Sequence, residues 1–173
     1  MRLVEGTATV GDLDAFLGDL TRIGDDTGCT VQAFDARYVV DRTHLARALA
    51  LADRAFERGE NVARDRGVEV MLYAAGRRQI DRALTMGVSE GERAVVVLVA
   101  AEDGSDETAA AAAAEAAAAD AVGDLLDPAS TLGAVDEALV CDYFDVRERE
   151  LTATAGTLAD VVHERVALLD VRK

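Results

Sequence analysis

Arg77, Arg78, Gln79 and Arg82 follow Gly76 in close succession, three guanidinium groups and an amide on a chain whose formal net charge is −15. Guanidinium forks donate paired hydrogen bonds to oxyanions, so such a cluster suits phosphate or carboxylate. The wider segment from Arg37 to Arg82 holds ten arginines against seven acids, a local net charge of +3. Positive charge kept in one region of so acidic a chain points to an anionic partner there. For Arg47, Arg54 and Arg58 the simpler account is pairing with Asp53, Glu57 and similar neighbours on a solvated helix face. Arg77 and Arg78 differ, because the spacing predicts a helix from Arg77 to about Met86. Its first turn disfavours cations through the macrodipole. Free backbone N–H groups beside two guanidinium forks would instead bind phosphate. Arg82 falls one turn after Arg78, while Ile80, Ala83 and Leu84 form the expected inward stripe. Gln79 suits either a base edge or a neighbouring backbone group.

Other chemistry leaves no recognisable pattern. The sequence has no Walker loop, HExxH or CxxC, and Gly87 to Gly91, Gly-Val-Ser-Glu-Gly, reads as a turn. Of the two histidines, His44 is expected partly exposed at a helix start, and His163 packed in the last helix. Neither has a metal-ligand neighbour at the right spacing. Cys29 and Cys141 lie far apart and are expected reduced and buried. A cofactor-binding transferase reading is kept open by Gly76-Arg77-Arg78, which would hold a cofactor phosphate as in CoA-dependent enzymes. It requires a deep cleft beside Gly76. A purely structural interaction protein, its arginines used only in salt bridges, is the third reading.

The elements that must carry these residues follow from periodicity. Arg2 to Val10 reads as an edge strand. A helix opens at Gly11-Asp12, with Leu13, Phe16, Leu17, Leu20 and Ile23 inward and Gly24 as its cap. Thr30 to Phe34 is a short strand, and Ala36 to Val40 a second strand or an irregular connection. Thr43 caps a long helix ending near Gly59, with Leu45, Leu49, Ala52 and Phe56 inward, and Asn61 to Asp65 adds a turn. Val68 to Ala74 alternates as a strand broken by Gly76. Ala94 to Ala101 is a central strand buried on both faces. Thr108 to Val122 is an alanine-rich helix whose start suits Asp103, Ser105, Asp106 and Glu107. Pro128 marks a turn. Helices then cover Leu132 to Val140, Arg147 to about Thr154, and Thr157 to Leu169. The expected fold is a single α+β domain over residues 1–173, a small, mainly antiparallel or mixed sheet covered by helices with a helical C-terminal third.

Half of the 173 residues are apolar, enough for a sizeable core. Of 18 cationic side chains only Lys173 is lysine. An acidic, lysine-poor, alanine-rich chain is what a high-salt cytoplasm favours. No signal peptide or membrane-length apolar run is visible, so a cytoplasmic protein is expected. Self-repulsion at this charge weakens the fold at low ionic strength and is screened by salt. The melting temperature is therefore expected to rise from low to molar potassium chloride. A flat response would remove the halophilic reading.

Glu69 to Leu84, with its centre Gly76-Arg77-Arg78-Gln79-Ile80, resembles the signature of the Cgi-type accessory subunits of the KEOPS complex. Asn61-Val62-Ala63 before it, Met86-Gly87-Val88 after it and the ending Leu158 to Leu168 resemble the same family more weakly. The resemblance implies a non-catalytic protein without cofactor, metal or small-molecule substrate. It implies a role in threonylcarbamoyladenosine (t6A) modification of tRNA, with the complex's kinase/ATPase subunit and the 3′ CCA end of tRNA as partners. On that footing Arg77, Arg78, Gln79, Arg82 and Arg64 are the candidate RNA contacts. Tyr73 is either a stacking platform or a core residue. Val161, Val162, Arg165, Val166 and Leu169 of the last helix are the candidate kinase contacts.

Overall fold

The apolar run expected at the centre of the sheet is there. In the computed structural model, which describes residues 1–102, 108–153 and 156–171, strand β3 spans Gly91–Ala101, and Val95 to Ala100 are buried on both of its faces. Strands β1 (Arg2–Val10) and β2 (Cys29–Asp35) flank it, both antiparallel. A two-residue strand, β4 (Asp127–Pro128), pairs with Gly6 and Thr7, giving the order β2-β3-β1-β4. β1 is therefore paired on both sides rather than at the edge, and Pro128 lies in a strand instead of a turn. Proline is tolerated there because an edge strand can spare its N–H. Gly6 allows the approach, since a Cβ on it would stand 2.8 Å from the Asp127 carbonyl oxygen.

The chain organises into two compact units. The first, Met1–Ala36 with Gly87–Thr131, is the sheet with helices α1 (Leu13–Thr27) and α5 (Ala109–Gly123) packed on it. Leu20 and Ile23 from α1, Ala118 and Val122 from α5, and Val95, Val97 and Val99 from β3 share one apolar cluster. Asp12 caps α1 as expected, but the helix runs through Gly24 to a left-handed Gly28. Gly24 serves close approach instead, because a Cβ there would lie 2.7 Å from the Cys29 carbonyl oxygen. Thr108 caps α5. The acids expected before it, Asp103, Asp106 and Glu107, and Ser105, lie outside the described residues.

The second unit, Arg37–Met86 with Leu132–Lys173, is helical. Helix α2 (Arg42–Arg58) starts two residues earlier than expected, with Asp41 rather than Thr43 as its cap, and ends at the left-handed Gly59. Helix α3 covers Arg66–Ala74, α4 Ile80–Ala83, α6 Glu137–Tyr143, α7 Glu148–Ala153 and α8 Leu158–Val171. Helices α3 and α8 pack against α2. The expected helix at Leu132 begins only at Glu137, capped by Asp136, and Asn61 to Asp65 forms bends rather than a helical turn. The α+β class, the antiparallel sheet and the helical C-terminal third are all present.

Candidate functional site

The segment before Gly76 is helix α3, not the strand that its alternating Val68, Val70, Leu72 and Ala74 suggest. Asp65 accepts from the Val68 N–H at 2.8 Å and starts it. Glu69 to Ala75 are all buried, so α3 has no polar face to impose a 3.6-residue period, and a short apolar run then reads equally as strand. Tyr73 is 2 % exposed and belongs to the core, which removes it as a stacking platform. Glu69, 2 % exposed, is the residue that sequence reasoning passed over. Its Oε2 accepts from the Val62 N–H at 3.0 Å and the Ala63 N–H at 2.7 Å. A buried carboxylate is tolerated only when so partnered.

The chain leaves α3 through Gly76, whose φ of +59° is left-handed and suits glycine. The space beside Gly76 is filled by the Arg165 backbone, whose oxygen would be 3.5 Å from an added Cβ. That contact closes the side of Gly76 on which a CoA-type transferase would need a cleft. Gln79 is the first cap of α4, so Arg77 and Arg78 precede the helix, and the expected Arg77-to-Met86 helix is one α turn followed by a 3-10 turn, Leu84–Met86. The phosphate cradle expected at that helix start is not formed. Arg77 instead donates from Nη2 to the Tyr143 carbonyl, lies over the Tyr143 ring 5.0 Å from its centroid, and stands 3.6 Å from Asp145. The Tyr143 hydroxyl donates to the Arg82 carbonyl at 2.9 Å. Burial pushes this phenol up to about 12, against the opposing pull of Arg77. Arg78 donates from Nη2 to the Leu169 carbonyl at 2.9 Å.

Arg64, Gln79 and Arg82 are exposed. An open cleft of about 380 Å³ is lined by Arg77, Arg82, Thr85, Asp142, Tyr143 and Asp145. Ile80 and Leu84, expected inward, are 41 % and 53 % exposed, and of that stripe only Ala83 is buried. With so short a helix, one inward residue anchors the turn and the apolar neighbours a turn apart face solvent.

Helix α8 meets its own unit with the residues expected to meet a partner. Val161, Val162 and Val166 are buried, Arg165 pairs with Glu150 at 2.7 Å, and Leu169 is half-buried. His163 is buried as expected and its Nε2 lies 2.9 Å from Asp41 Oδ1. That same oxygen accepts from the His44 N–H at 2.7 Å. Burial raises the Asp41 carboxyl, but the bonds from His163 and the His44 backbone outweigh it and hold it below its ordinary range. His44 is fully buried rather than partly exposed. Its Nε2 donates to the Ala74 carbonyl at 2.8 Å, and burial pushes its pKa down to about 4. On α2, Asp53 is taken by Arg66 through bonds of 2.6 and 3.0 Å, so Arg54 and Arg58 turn to Asp170 instead, each at 4.0 Å. Cys29 is buried, Cys141 is only half-buried, and no disulfide joins them.

Among the described residues no group of three or more His, Cys, Asp or Glu is placed to hold a metal ion. Nor, among the described residues, is any helix long and apolar enough to cross a membrane. The model of the family described as "Kinase binding protein CGI-121" matches residues 15–170. The chain belongs to this family of kinase-binding proteins. No curated protein matches it.

Proposed function

We propose that this protein is a non-catalytic accessory subunit of the KEOPS complex, binding its kinase/ATPase subunit and recruiting tRNA by the 3′ CCA end for t6A modification. The observation that carries the reading is membership of the kinase-binding family across residues 15–170. The RNA half is supported by the exposed Ile80 and Leu84 beside Gln79 and Arg82. Unpaired bases pack on such apolar surfaces while arginines meet their phosphates. Arg82 and Arg64 are the accessible cations, Gln79 the hydrogen-bonding side chain, and Arg77 the residue that shapes the cleft from beneath. On α8, Val161, Val162 and Val166 set the helix in place, leaving Arg165 and Leu169 as its candidate kinase contacts.

The test is capture from a lysate at native salt with the tagged wild-type chain and an Ile80→Glu/Leu84→Glu variant. Wild type is expected to retain a small kinase and tRNA. The variant is expected to retain the kinase and lose tRNA at least tenfold, since two carboxylates replace a stacking surface and repel phosphate. Equal tRNA recovery by both would remove the RNA role of this turn, and absence of a kinase would remove the partner.

A further inference from the structure

Arg54 and Arg58 lie one turn apart on α2, half-exposed at 49 % and 53 %, and each Nη1 stands 4.0 Å from Asp170 Oδ2. That separation is beyond hydrogen-bond distance, so each fork keeps donors to offer. Arg78 reaches the same end of α8, with one Nη donor on the Leu169 carbonyl and its buried Nε without a partner. Two guanidiniums thus face one carboxylate, with a third on the neighbouring carbonyl, on a chain of net charge −15. Arg66 takes up Asp53, the acid beside Arg54 on the same helix. Surface pairs as loose as those of Arg54 and Arg58 contribute little to stability, and stability therefore gives no account of why the two converge.

We propose that Arg54, Arg58 and Arg78 form a second contact point for RNA, taking a backbone phosphate of the strand whose end packs on Ile80. The proposal rests on the RNA reading above and extends it. Arg78 is two residues from Ile80, a separation of at most about 7 Å along the chain, and its guanidinium lies on Leu169, next to the Asp170 that Arg54 and Arg58 face, so a strand leaving Ile80 is directed towards the cluster. Forked donors on two successive turns fit the oxygens of one phosphodiester. Phosphate contacts position a strand without reading its sequence, which suits a site serving many tRNAs.

The experiment measures binding of a CCA-ended tRNA transcript to wild type, Arg54→Gln/Arg58→Gln and the charge-matched control Arg22→Gln/Arg149→Gln over a series of potassium chloride concentrations. The cluster variant is expected to bind roughly tenfold more weakly. Its plot of log affinity against log salt should be shallower by about 1, the loss of one phosphate contact. Melting temperature and kinase capture should match wild type, and the control should bind as wild type does. Unchanged affinity and slope in the cluster variant overturn the proposal and leave the Ile80 site standing. Loss of kinase capture with RNA binding intact also overturns it, in favour of a protein dock. Failure of wild type itself to bind the transcript removes the RNA reading and this extension together.

Discussion

Glu69→Ala is expected to lower stability by about 3 kcal/mol, since two charge-assisted hydrogen bonds vanish and a buried space opens. The Ala63 N–H is left in an interior position, while the exposed Val62 recovers part of its loss from water. Glu69→Gln keeps a carbonyl oxygen for the same two donors and should cost about 1 kcal/mol. The readout is the denaturant midpoint at fixed molar salt with an unchanged slope. A loss under about 1 kcal/mol for the alanine variant would show that the loop at Asn61 to Ala63 does not depend on this carboxylate. The loop also leads into Arg64 and the Asp65 cap of α3, so the same variant should loosen an element that the candidate RNA contacts share.

The second large effect is acid sensitivity through His44. Its Nε2–H must donate to the Ala74 carbonyl, and its Nδ1 is buried without a partner. Burial of the ring, where a second proton on Nδ1 would find no acceptor, holds it neutral in the folded protein down to about 4 against an ordinary 6.5. A lowered histidine pKa means that the unfolded chain takes up the proton first. The contribution is fully present above about pH 6.5 and is lost as pH falls towards 4, roughly 3 kcal/mol in all. The Asp41 carboxyl, held low, contributes in the same direction but only at the acid end, near and below its ordinary 3.8. Protonating the many surface carboxylates relieves self-repulsion and works the other way. The comparison is therefore with His44→Gln, whose amide keeps a donor for Ala74 and does not titrate. Stability measured against pH at constant salt should fall more steeply for wild type between 6.5 and 4. Parallel curves would overturn the assignment.

Sequence patterning reached the elements whose surroundings are two-sided or uniformly apolar. β3, α1, α2 and α5 each present a clear period or run, and Leu45, Leu49 and Ala52 on α2 and Leu20 and Ile23 on α1 are buried as expected, whereas Leu17, expected inward, is exposed and Phe56 is half-buried. It failed at α3 because burial on every side erases the period that separates helix from strand. That one misreading moved Arg77 and Arg78 into a helix and turned Ile80 and Leu84 inward. The cap of α2 was misplaced because Asp41 and Thr43 are both good capping residues, and the choice depends on His163, which is remote in sequence. The pairing of Asp53 with Arg66, and of Arg54 and Arg58 with the end of α8, is likewise set by which helices pack together. The cluster of positive charge was legible, but the division between arginines that fasten the fold and arginines that face outward was not.

The two-residue strand beside β1 also bears on self-association. A sheet can grow only where it offers a continuous row of unpaired backbone groups, and β1 is nine residues long, ample for a foreign strand to align with. Asp127 and Pro128 occupy the middle of that row, and proline brings no N–H with which a further strand could pair. An incoming chain would have to evict this plug before it found enough neighbouring groups to bind. The fit at Gly6 that lets the plug sit so close thereby limits polymerisation at this edge, a safeguard that does not depend on charge repulsion between molecules, which salt screens.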